Sequence, residues 1–168
     1  TVAALVAHSI KIPNVPMDRV RWYYYLKDGF TFEEEDKYTT FEDKKSYAKP
    51  FEAKAVRRII SEFPNAVIDF GAGHSYFPNP ALFQSVEVVL RPLPNIFFLL
   101  PSSDKEESLK ICNERFALRK GKPVEADELE ANRKFIYHES SYKLAKRIIY
   151  TQGKSPAEVA SEIESLLF

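Results

Sequence analysis

Two acidic residues that follow short apolar runs are the side chains best placed for chemistry. Asp18 comes directly after the run at 14–17, and Asp69 lies near the end of the run at 66–70. A carboxylate in such a position can accept a proton or hold Mg²⁺ through oxygen. The alternative, for both residues, is an acid that only bonds neighbouring backbone amides.

The second of these runs leads into Gly71, Ala72 and Gly73, with His74 directly after them. Glycine lets the backbone turn sharply and approach a ligand closely. In open α/β sheets, ligands bind outside the carboxyl ends of the strands. We therefore expect a small molecule beside these glycines, within reach of His74; a plain turn is the alternative.

The composition limits the classes of partner. Its 168 residues are enough for one domain with a core, and the chain carries 24 basic and 24 acidic residues. This balance predicts neither a nucleic-acid nor a membrane partner. The single cysteine, Cys112, excludes an internal disulfide and a cysteine-based metal cluster, and fits a cytoplasmic location.

The apolar pattern predicts strands near 14–17, 66–70, 96–100 and 147–151, alternating with helices. Such alternation is typical of a parallel sheet with helices on both faces, here formed by a single domain over 1–168. Residues 22–48 are expected to be a surface insertion of loops and short helix. Helices are predicted at 1–10, 51–63, from 79 to about 91, from 103 to 115, at about 123–145, and from 156 onward.

Several segments together resemble the shikimate kinases, a family of small-molecule kinases with a P-loop. Residues 1–7 resemble the helix that follows the phosphate-binding (Walker A) loop, and Asp18 lies at a similar spacing to the acid that ends the family's second strand. The Gly-Ala-Gly of 71–73 resembles the family's Gly-Gly-Gly, and 149–159 resembles its last strand and helix. The resemblance covers nearly the whole chain apart from about 22–48.

This resemblance implies a three-layer P-loop NTPase fold of the α/β class. It also implies an ATP- and Mg²⁺-dependent phosphotransferase that acts on a hydroxyl of a small molecule, as a monomer or homodimer. Asp18 would hold the acceptor hydroxyl and act as base, and Asp69 would hold the metal. The nucleotide would contact Thr1, with Arg115 and Pro156 on either side of the adenine. Arg119, as a catalytic residue, and Lys120, as a nucleotide-binding residue, would belong to a closing lid at about 117–127 that neutralises the transferring phosphates. The alternative is that this segment is a charged surface loop.

Three departures from the family pattern leave the acceptor open. Pro16 replaces the first acid of the family's Asp-x-Asp, the family's substrate arginine corresponds to Glu52 or Ala53, and a later substrate arginine falls near His138. A carboxylate-bearing acceptor needs such arginines. Two alternatives therefore stay open: a nucleoside or nucleotide kinase that stacks a base on the aromatic run 22–25, and a nucleotide-binding regulatory protein without catalysis.

The resemblance also predicts that a strand and a Walker A loop of roughly 10–20 residues precede Thr1. Such a strand would lie between the strands at 66–70 and 96–100. Those two strands should therefore be separated by a slot one strand wide, near 10 Å from the ladder spacing. Direct pairing of the two strands would count against the resemblance.

Overall fold

The computed structural model describes residues 1–167, which are 62% helical and 8% strand. Nine α-helices, one 3₁₀ turn (Ala72–Ser75) and four strands account for the regular structure of these residues. The helices are α1 (Val2–Ser9), α2 (Met17–Lys27), α3 (Phe32–Glu35), α4 (Phe41–Glu62), α5 (Pro80–Leu90), α6 (Lys105–Lys120), α7 (Ala126–Tyr137), α8 (Glu139–Leu144) and α9 (Pro156–Glu164). The strands are β1 (Asn14–Pro16), β2 (Val67–Asp69), β3 (Phe97–Leu100) and β4 (Arg147–Tyr150).

The predicted three-layer P-loop NTPase fold, with one parallel sheet covered on both faces, is wrong for these residues. Strand β1 pairs with β2 and β3 pairs with β4, each in parallel, so the four strands form two separate ladders. Each ladder is only three or four residues long. The strands lie close to their predicted positions, but no segment of residues 1–167 joins the two ladders into one sheet.

An apolar groove of about 580 Å³ lies between the two ladders. Its lining includes Ile68 of β2 and Phe97 of β3, with Val6 of α1 and Leu144 of α8 contributing further apolar surface. Strands β2 and β3 do not pair with each other within the described residues.

The core consists of two clusters, and both contribute residues to this groove. The larger cluster centres on α2, α4 and α5, where Met17, Val56 and Val86 are fully buried. The smaller cluster packs α1 against α9 and β4 through Val6 and Ile149. Within residues 1–167, no helix combines the length and the apolar composition that crossing a membrane requires.

Helix α4 is the largest correction to the predicted elements. It begins at Phe41, inside the expected insertion, and continues through Pro50, where the sequence predicted a helix only from 51 onward. A proline removes one helical hydrogen bond and usually interrupts a helix. The helix is stabilised on both sides of the proline. On the amino side, the N-cap Thr40 accepts from Asp43 N through its side chain, and on the carboxyl side a buried stripe includes Val56 and Ile59.

The second half of the chain differs in two details. The predicted helix at about 123–145 is two helices, because His138 adopts an extended conformation and its ring accepts from Ser140 N. Helix α6, predicted from 103, begins after its N-cap Asp104, whose carboxylate accepts from Glu106 N at 2.8 Å.

Candidate functional site

Asp18 lies in the first turn of α2, directly after β1. Because Pro16 is in register with Asp69 in a parallel pair, the carboxyl ends of β1 and β2 meet at one edge. The Asp18 side chain is 63% exposed, and Arg21 Nη1 lies 3.4 Å from its Oδ1. The carboxylate is thus open to a ligand while one oxygen faces a cation.

Gly71 packs directly against this carboxylate. A Cβ at Gly71 would lie 2.6 Å from Asp18 Oδ1, which is closer than real Cβ contacts allow. The φ of Gly71 is −69°, a value that any residue adopts, so the requirement for glycine here is the close approach. A Cβ at Gly73 would meet Glu52 Oε1 at 3.6 Å, an ordinary contact.

His74 lies in the short 3₁₀ turn Ala72–Ser75 and is only 1% exposed. Its Nε2 lies 3.2 Å from the hydroxyl of Tyr25, whereas its Nδ1 lies 3.9 Å from Asp18 Oδ1 and has no hydrogen-bond partner among the described residues. Burial lowers the pKa of His74, and burial raises the pKa of Tyr25. The ring is therefore neutral near pH 7 and the phenol keeps its proton.

The sequence analysis missed a buried ion pair beneath the glycines. Lys49 and Glu52 of α4 are 6% and 2% exposed and form a salt bridge, and Lys49 Nζ also donates to the Gly73 carbonyl at 2.8 Å. Burial lowers the pKa of Lys49, although the charge of Glu52 opposes this shift. Opposite charges three residues apart, on the same stripe as Ala53 and Val56, were the signal that could have revealed it.

Thr1 and Asp69 are in contact beside the groove. Thr1 Oγ1 donates to Asp69 Oδ2 at 3.3 Å, and the same hydroxyl accepts from Ala4 N as the N-cap of α1. Two of the residues predicted to bind the nucleotide and the metal are therefore in contact. Asp69 and Ala72 also line the groove, so this contact lies beside it.

The segment predicted to be a flexible lid is a turn between α6 and α7. Arg119 and Lys120 lie in the last turn of α6, and Gly121 ends the helix with a φ of 68°. Glu125 and Glu128 form the capping box at the start of α7. Lys120 pairs with Glu128, and Lys122 pairs with Glu125 at 2.5 Å. Two of the three cations are therefore held by α7.

The two residues predicted to flank the adenine lie on different helices. Arg115 is on α6, and Pro156 is the first residue of α9. Among the described residues, neither side chain makes a hydrogen bond or ion pair with Asp18, His74 or Asp69. The structure therefore brings together Thr1 with Asp69 and Asp18 with Gly71, Gly73 and His74, but leaves the predicted adenine and lid residues apart from them.

The aromatic run 22–25 is largely occupied by internal contacts. Tyr24 and Tyr25 are buried, and Trp22 packs at 5.2–5.5 Å from Tyr25, Phe30 and Phe32. Tyr23, 63% exposed, is the member of the run that is open for stacking.

No group of three or more histidine, cysteine or acidic residues within 1–167 is arranged to hold a metal ion by itself. Mg²⁺ is commonly bound by one or two protein oxygens together with water and substrate phosphates. The two oxygens of the Thr1–Asp69 pair fit this kind of site, although they are too few to enclose a metal ion by protein ligands alone.

No protein-family model matches the sequence, and a comparison with curated proteins finds no match.

Proposed function

We propose that this protein is a phosphotransferase that moves the γ-phosphoryl group of Mg²⁺-bound ATP to a hydroxyl of a small molecule. The observation that carries the proposal is the contact between the Thr1 hydroxyl and the Asp69 carboxylate at the amino end of α1. Asp18 lies at the end of the adjacent strand β1. A metal-binding pair and a separate, exposed carboxylate are the parts that phosphoryl transfer to a hydroxyl requires.

The nucleotide side of the site is built on α1. The first amides of a helix have no intrahelical partner and carry partial positive charge, which favours phosphate. Asp69 and the Thr1 hydroxyl would hold Mg²⁺ directly or through water. The bound nucleotide supplies the phosphoryl group, and the protein supplies its position and charge compensation.

The acceptor side is built on Asp18. An acceptor hydroxyl that donates to this carboxylate is oriented by it and can pass its proton to it during transfer. Lys49 already pairs with Glu52, and Arg21 already faces Asp18, so both of these cations are compensated by acids. This arrangement favours an uncharged hydroxyl compound over a carboxylate-bearing acceptor.

The proposal is tested by thermal unfolding with and without Mg²⁺ and ATP, because a ligand that binds the native state raises the unfolding temperature. We expect ATP to stabilise the protein more with Mg²⁺ than with EDTA. Asp69→Asn and Thr1→Val should both remove the part of the rise in unfolding temperature that depends on Mg²⁺. Thr31→Val is the matched control, since Thr31 also caps a helix but lies on α3. Equal stabilisation in all variants would contradict the assignment.

A panel of acceptors then separates the remaining alternatives. Transfer to nucleosides alone would make the protein a nucleoside kinase. Mg²⁺-dependent ATP binding without transfer to any acceptor would make it a nucleotide-binding regulatory protein.

A further inference from the structure

His74 connects two residues of α2 through opposite sides of its ring. Asp18 and Tyr25 are seven residues apart, which places them on the same face of α2, two turns from each other. The His74 ring faces both: Nε2 is 3.2 Å from the Tyr25 hydroxyl and Nδ1 is 3.9 Å from Asp18 Oδ1. The three side chains form a continuous row that ends at the exposed carboxylate.

The contact with Tyr25 indicates which ring nitrogen carries the proton. The Tyr25 phenol keeps its proton, and among the described residues its hydroxyl has no hydrogen-bond partner other than Nε2. If the hydroxyl donates to Nε2, a neutral ring carries its hydrogen on Nδ1. Nδ1 has no hydrogen-bond partner within residues 1–167, and Asp18 Oδ1 lies 3.9 Å from it. A buried polar nitrogen without a partner is uncommon, so its position beside the Asp18 carboxylate indicates a specific role.

The charged groups around the His74 ring leave it neutral rather than protonated. Asp18 and Glu52 favour the protonated ring, while Arg21, Lys49 and, most strongly, burial disfavour it. The ring accordingly stays neutral and keeps its single proton while Asp18 exchanges protons with a ligand.

We propose that His74 is a positioning residue for Asp18, locked by Tyr25 in the tautomer that donates to the carboxylate. The proposal rests on the proposed function. A small rotation of the Asp18 carboxylate brings Oδ1 within hydrogen-bond distance of Nδ1 and leaves Oδ2 for the acceptor hydroxyl. During transfer, the acceptor oxygen forms its bond to phosphorus, its proton passes to Asp18, and the bond between the transferred phosphorus and the leaving diphosphate oxygen breaks. His74 neither gains nor loses a proton.

Two substitutions separate positioning from packing. The amide nitrogen of His74→Asn can take the place of Nδ1, whereas the amide of His74→Gln reaches the place of Nε2. We expect His74→Gln to lower kcat about tenfold, the effect of losing one ordinary hydrogen bond, with little change in KM. His74→Asn should recover most of this loss. Equal losses in both variants, or none in either, would overturn the proposal.

The tautomer is measured independently of activity by ¹⁵N NMR of the histidine rings. In the unmodified protein, we expect the His74 signals of a neutral ring with the hydrogen on Nδ1, and Tyr25→Phe should produce a mixture of tautomers. A ring with the hydrogen on Nε2 overturns the proposal whether or not the protein transfers phosphate. If no acceptor is phosphorylated but the ring carries its hydrogen on Nδ1 and Asp18→Asn shifts that signal, the proposed function fails and the positioning contact stands.

Discussion

The carboxylate of Asp18 lies so close to Gly71 that a Cβ on the glycine would be 2.6 Å from Oδ1. This contact joins the start of α2 to the segment after β2, which are far apart in the chain. It fixes one side of the carboxylate while 63% of the side chain remains exposed. The glycine therefore sets where a ligand of Asp18 can lie.

Gly71→Ala should reduce activity far more than stability. The new methyl group must displace Asp18, a short exposed side chain that can rotate away at little cost, so the unfolding free energy should change by less than about 1 kcal/mol. The phosphotransferase rate should fall at least about tenfold, because the base leaves its position. Steady-state kinetics and urea unfolding measure the two effects.

Gly73→Ala is the matched control. Its Cβ would meet Glu52 at 3.6 Å, so the activity should stay within about twofold of the unmodified protein. Equal effects of the two substitutions on activity would show that the contact between Asp18 and Gly71 has no functional importance.

Removing the charge of Glu52 should destabilise the fold. Glu52→Gln leaves Lys49 buried without a charged partner, and breaking one side of a buried pair typically costs about 3–5 kcal/mol. Glu162→Gln removes one side of the exposed pair with Lys154 and should cost less than about 1 kcal/mol. Urea unfolding at neutral pH compares them, and similar losses would argue against a structural role for the buried pair.

The stability of the protein should fall on acidification partly through His74. Burial holds the pKa of His74 below the value of about 6.5 expected in the unfolded chain. Below that pH, the unfolded state therefore binds a proton that the folded state does not bind. The loss begins as the pH falls through 6.5 and ends near the lower pKa of the folded state. His74→Gln should show a smaller drop in unfolding free energy between pH 7 and pH 5.

His8→Gln, which replaces an exposed histidine on α1, should retain the full drop. An unchanged pH profile in His74→Gln would mean that His74 is as easily protonated in the folded state as in the unfolded one.

Residues 117–127 should exchange amide hydrogens more slowly when a non-hydrolysable ATP analogue and Mg²⁺ are bound. Lys120 and Lys122 are paired with Glu128 and Glu125. A closing movement must therefore either move each lysine together with its glutamate or replace the glutamate by a phosphate of the nucleotide. Hydrogen-exchange mass spectrometry measures this directly. Equal exchange with and without the analogue would show that the α6–α7 turn is not a lid.

The sequence predicted where strands form but not how they pair. Short apolar runs located β1 to β4 within a few residues, because the pattern of a buried strand is local. Pairing depends on which strand edges face each other, and the groove between β2 and β3 has no local signature. The same limit explains α4, where tertiary burial of Val56 and Ile59 outweighs the effect of Pro50.

The candidate site was predictable in part for the same reason. Asp18, Asp69 and the glycines could be placed at one edge because parallel strands end together. The buried pair of Lys49 and Glu52 was missed, because charged residues near an expected surface insertion are ordinarily exposed and their spacing on the apolar stripe is a weak signal. The partners of His74 lie on a different helix, and only the folded chain brings them together.

The most direct test of the phosphotransferase proposal is ³¹P NMR of ATP and Mg²⁺ incubated with the protein and a panel of uncharged hydroxyl compounds. We predict ADP and a new phosphate-ester signal that depend on one acceptor class. Asp18→Asn should reduce the rate at least about a hundredfold, the contribution typical of a general base. An equal rate with Asp18→Asn, or no ester with any acceptor, would contradict the proposal.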